Sequence, residues 1–102
     1  MEYAALVISG AAKQLSTMLG TAVQPTTSLS ELEARVSQAV LHLLRRDLPR
    51  LLQVLYRIDV EEHQVKQAML APSEEEMAQT IARLIIKREL QKAQTRFMYG
   101  AN

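Results

Sequence analysis

At four places in this chain a serine or aspartate is followed, three residues later, by a glutamate ahead of an apolar run. The pairs are Ser28 with Glu31, Ser30 with Glu33, Asp59 with Glu62, and Ser73 with Glu76. Such a pair satisfies the free N–H groups of a first helical turn, the short side chain accepting from the third residue while the glutamate reaches back. Asp47 ahead of Leu48-Pro49 marks another start, because proline is tolerated only in a helix's first turn. A chain punctuated in this way is committed to helices. The three glycines and three prolines leave few positions for the tight turns of a β fold.

Between these starts the aliphatic residues recur at spacings of three and four. Ala4, Ile8, Ala11, Leu15 and Met18 form one stripe, with Gly20 as its stop and Gly10 as a weak point costing about 1 kcal/mol relative to alanine. Residues 21–28 read as a connection. Leu32, Val36, Val40 and Leu43 form the inner face of a second helix ending near Arg46, which Ser30 or Ser28 opens. A third helix runs from Leu48 to about Arg57 with Leu51, Leu52, Leu55 and Ile58 inward. Asp59 opens a short fourth helix carrying Val65, Ala68 and Met69, and Pro72 breaks the chain before a last helix from Glu74 to about Arg96. The expectation is an all-α fold, a compact bundle of about five helices with short connections.

Hydrophobic residues make up 48% of the 102, yet aromatics only 4%, so the core is packed by Leu, Ile, Val, Ala and Met. This length gives one domain over residues 1–102, in which segment 1–29 is either peripheral or involved in oligomerisation. Cysteine is absent, which removes disulfides, thiolate metal sites and cysteine nucleophiles. The start Met1-Glu2-Tyr3 lacks the basic residues of a secretory signal, and no apolar run reaches the ~20 residues of a membrane span. A cytoplasmic protein with no membrane partner is expected.

The net charge of +1 conceals segregation. Arg45, Arg46, Arg50 and Arg57 against Asp47 give +3 over residues 45–57. Asp59, Glu61, Glu62, Glu74, Glu75 and Glu76 against Lys66 give −5 over residues 59–76. Arg83, Lys87, Arg88, Lys92 and Arg96 against Glu89 give +4 over residues 83–96. Acids at helix starts and bases near helix ends complement the helix dipole, which accounts for most of the pattern at ~0.3–1 kcal/mol per charge. The functional alternative makes Arg45, Arg46 and Arg50 a basic patch for nucleic acid, but the acidic blocks would repel phosphate. A helix-turn-helix over residues 51–69 is disfavoured for the same reason. Its second helix would open with Glu61-Glu62, and bulky Leu55 would fill the position that wants a small side chain.

Catalytic equipment is sparse. His42 shares a helical face with Arg35, Gln38 and Arg46, and His63 has no second ligand at a convincing spacing, so both read as surface residues. Gly10, Gly20 and Gly100 are isolated, and the hydroxyls sit mainly at caps and in loops. Paired carboxylates cluster at helix starts, where the dipole favours the ionised form and not a general acid. No cofactor, metal or catalytic residue is expected.

The last helix is the most informative. Met77, Ile81, Leu84 and Ile85 share a face that continues as Arg88, Lys92 and Arg96. A second stripe, Ala82, Ile86, Leu90, Ala93 and Phe97, runs beside it at heptad-like spacing. The first half should therefore be embedded, and the second half should pack on one neighbour along a narrow seam. That neighbour is either the N-terminal stripe of the same chain or a second copy in a symmetric homodimer. The seam Ile86, Leu90, Ala93 and Phe97, flanked by Arg88, Lys92 and Arg96, is the candidate interaction site.

The block Leu48-Pro-Arg-Leu-Leu-Gln-Val-Leu-Tyr-Arg-Ile-Asp59, followed by Ile85-Ile-Lys-Arg-Glu-Leu-Gln-Lys92, resembles small all-helical bacterial proteins known only as domains of unknown function. The resemblance covers roughly residues 41–96 and implies a helical fold without an activity. The functional expectation is a non-catalytic protein–protein interaction module, a small adaptor or regulatory subunit. The alternative is a weak nucleic-acid binder using basic helix faces.

Overall fold

A computed structural model describes residues 4–20 and 23–99, the side chain of Phe97 excepted. Five helices follow in order: α1 (Ala5–Leu19), α2 (Leu29–Arg46), α3 (Leu48–Ile58), α4 (Glu62–Ala68) and α5 (Glu74–Tyr99). The fold is an all-α bundle. The 26 residues of α5 make it about 39 Å long at 1.5 Å per residue, close to the 42 Å long axis of the molecule. It is the spine, and each of the other four helices packs against it.

The helix starts follow the local chemistry, with two corrections. The Ser28 hydroxyl accepts from the Glu31 N–H at 3.3 Å, so α2 begins at the earlier of its two candidate starts. Thr26 decides between them, because its buried hydroxyl accepts the Ser28 N–H at 3.0 Å and donates to Glu31 Oε2 at 2.9 Å. Arg35 then fastens the connection by donating to the carbonyls of Gln24 and Pro25, each at 3.0 Å. Asp47 caps α3 through Arg50 N–H, and Ser73 caps α5 through Glu76 N–H at 3.1 Å. Asp59 does not open α4. It closes α3 in the left-handed region at φ 69°, with the Val60 N–H reaching back to the Leu55 carbonyl. Aspartate is among the few residues that accept this conformation.

One continuous aliphatic core joins the helices. Leu32, Val36, Val40 and Leu43 are buried on α2, as are Val65 and Ala68 on α4, with Met69 half-buried. On α3 the inward set is Leu51, Val54, Leu55 and Ile58, while Leu52, expected inside, is 48% exposed. On α1 Val7, Ile8, Ala11, Ala12, Leu15 and Leu19 are buried, so this helix belongs to the core and is not peripheral; Ala4 lies exposed at its edge. Charges fall where the helix dipoles favour them: Glu31 opens and Arg45 and Arg46 close α2, and Glu74, Glu75 and Glu76 open α5.

Helix α1 has no basic residue in its last turn, yet a cation from elsewhere serves that end. It terminates at Gly20, φ 68°, and a Cβ there would meet the Arg50 guanidinium of α3. Gly20 is thus needed both for its left-handed backbone and for the room it leaves Arg50.

Candidate interaction surface

The seam of α5 is an internal contact. Ile86, Leu90 and Ala93 are 2%, 2% and 7% exposed, covered by the chain's own helices; the Phe97 side chain lies outside the described residues. Helix lengths identify the cover. Arg45, at the end of α2, lies 3.3 Å from Glu74 and 3.4 Å from Glu75, at the start of α5, so these two helices run antiparallel. The 18 residues of α2 reach about 27 Å along α5, which leaves the last two turns or so beyond it. Helix α1 also packs on α5 and contributes to the same core. By its length α2 passes Ile86 and Leu90, so the seam is covered from within the chain, by α2 together with α1.

The flanking cations are largely engaged within the chain. Arg88 reaches Asp59 at 3.4 Å, linking α5 to the end of α3, and Arg96 reaches Glu89 at 2.9 Å; Lys92 is half-buried. Glu89 is only 2% exposed and sits in the middle of the inward face of α5. Its block of basic neighbours concealed it in the sequence. The signal that could have found it was its wheel position between Ile85, Ile86 and Ala93.

The basic patch divides in the same way. Arg45 is bound to Glu74 and Glu75, and Arg50 turns toward Gly20, whereas Arg46 is exposed and makes no ion pair among the described residues. Arg57 is likewise exposed and unpaired among them. Of these basic residues, the two that are neither paired with a carboxylate among the described residues nor turned toward Gly20 thus flank the two ends of α3.

Between those ends lies the feature that sequence reasoning missed. Leu48, Leu52 and Tyr56 are 40%, 48% and 87% exposed and recur every four residues. They form an apolar ridge about 12 Å long on the outer flank of α3. Seven hydrophobic residues on an eleven-residue helix can define two faces, and the neighbours available decided which one was buried. A further exposed leucine, Leu70 at 77%, stands in the α4–α5 connection between the acidic starts of those helices.

The remaining polar features converge less. His42 and His63 are both exposed, and among the described residues no group of three or more His, Asp or Glu could hold a metal ion. An open groove of about 440 Å³ between α2 and α5 is lined by Ser30, Glu33, Ser37, Glu75 and Arg83 among others. Among the described residues no helix is long and apolar enough to cross a membrane. Comparisons with protein-family models, curated proteins and solved structures found no match to this chain.

Proposed function

We propose that this chain is a non-catalytic interaction module, a small adaptor or regulatory subunit of the cytoplasm, that docks a protein partner on the outer flank of α3. The observation that carries the reading is the ridge Leu48, Leu52 and Tyr56, apolar and solvent-facing, with unpaired Arg46 and Arg57 at its two ends. Apolar side chains scattered singly over a surface need no explanation, but three in register on one short helix form the i, i+4, i+8 pattern by which helical faces are recognised. Tyrosine and arginine are also the side chains that most often carry binding energy.

Nucleic-acid binding is less well supported, since Arg45 and Arg50 are engaged within the chain and acidic blocks adjoin the patch. The test is a photo-crosslinking residue, p-benzoylphenylalanine, in place of Tyr56, with Gln67 on exposed α4 as the control position. Illumination in the cells that make the protein is expected to give a protein adduct from position 56, absent from position 67 and lost when Leu52→Glu is added. No adduct, or an adduct to nucleic acid alone, would overturn the reading.

A further inference from the structure

Helix α3 carries no acidic side chain in its eleven residues. The two acids beside it are both engaged: the Asp47 carboxylate accepts the Arg50 N–H at 3.3 Å, and that of Asp59 meets Arg88 at 3.4 Å. Arg46 and Arg57 therefore keep their charge uncompensated among the described residues, one just ahead of Leu48 and the other next to Tyr56. The exposed line of Leu48, Leu52 and Tyr56 runs between them. The length of α3 sets these two charges about 16 Å apart, with apolar side chains filling the interval.

We infer that the partner element received by the α3 face is an amphipathic helix of about three turns, with one apolar stripe and a carboxylate at each end. The inference rests on the reading of α3 as a docking face. The sign follows from charge complementarity, because two guanidiniums without counter-charge are matched by carboxylates, which each can hold through paired hydrogen bonds. The length follows from the placement of those charges. An apolar line closed by a cation at either end fits a ligand of finite length, whereas a bilayer or a nucleic-acid backbone is continuous and gains nothing from such limits. The form follows from the backbone. An extended peptide needs a sheet edge to pair its N–H and C=O groups, and the described residues contain helices alone. A helix satisfies its backbone internally, and the i, i+4, i+8 row on α3 is the ridge that fits the groove between such rows on another helix.

Two synthetic alanine-based peptides of about fifteen residues test the match, each with leucine at every fourth position. One ends in glutamate pairs and the other in lysine pairs. Amide chemical shifts of the isotope-labelled chain, titrated at low salt, report where and how tightly each peptide binds. The glutamate peptide is expected to shift the amides of α3 and to bind on the order of tenfold tighter than the lysine peptide. Arg46→Glu with Arg57→Glu should reverse that preference, and Leu52→Glu should weaken both peptides by on the order of tenfold or more. All three positions are exposed, so the variants should keep the helical circular dichroism of the parent. Raising the salt should erase the preference for glutamate while the dependence on Leu52 persists. Equal binding of the two peptides, shifts centred outside α3, no binding at millimolar peptide, or co-sedimentation with phosphatidylglycerol vesicles without binding of the glutamate peptide would overturn the inference. An adduct from position 56 that maps to a basic or non-helical segment of a partner would overturn the acidic helix and leave the docking face standing; absence of every protein adduct would remove both.

Discussion

Replacing Arg96 with alanine strands the Glu89 carboxylate inside the helical interface, and the outcome can be worked from the geometry. The Glu89 side chain is 3% exposed and that of Arg96 is 56%, with 2.9 Å between their charged atoms. Removing one partner of a fully buried pair costs about 3–5 kcal/mol, because the remaining charge has lost both water and counter-charge. Solvent screens the exposed guanidinium, which lowers the expected loss to about 1–2 kcal/mol. For a domain of this size that corresponds to a fall in Tm of about 4–8 °C. Glu89→Leu removes the stranded charge itself, so it should be neutral or stabilising, and adding Arg96→Ala to it should cost almost nothing. Urea denaturation of the four proteins, followed by circular dichroism, closes the cycle. If Arg96→Ala is as harmful in the Glu89→Leu background as in the parent, the arginine acts through its packing, and the electrostatic argument fails.

Two further perturbations read out the backbone and the seam. Gly10→Ala should stabilise by about 0.5–1 kcal/mol, since a Cβ there meets nothing within 4 Å; Gly20→Ala should destabilise by about 1–2 kcal/mol through its left-handed backbone and displace Arg50. Opposite signs in thermal melts are the expected result. Leu90→Glu, which on a free seam would only dissociate an assembly, should instead abolish cooperative unfolding, because it buries an unpaired charge in the aliphatic core.

Most of the architecture was legible because helix periodicity and capping are local. All four inner residues chosen for α2 are buried, Ser73 caps α5 as its spacing requires, and Gly20 ends α1. The failures occur where a local signal is ambiguous and a distant contact decides. Ser28 prevails over Ser30 because Thr26 turns the preceding strand of chain into its cap. Asp59 has the spacing of a helix start, but the sharp turn after α3 and the nearby Arg88 make it a helix end. Leu52 and Val54 are interchangeable by hydropathy, and only the placement of the neighbouring helices exposes one and buries the other. The candidate surface was hidden by that same ambiguity, whereas the α5 seam, read as an exposed interaction site, is buried at Ile86, Leu90 and Ala93, because an apolar stripe alone does not say whether its own chain covers it.

The overhang of α5 beyond α2 also sets how the molecule comes apart. Helix α1 packs on the spine and is tied to α2 through the connection fastened by Arg35. Lifting α1 away would uncover the part of α5 it packs on while α2, α3 and α4 kept their contacts with the rest of that helix. The chain is therefore built to breathe from its N-terminal side, with amide protection of the α5 C-terminal half rising and falling together with that of α1 as one cooperative unit.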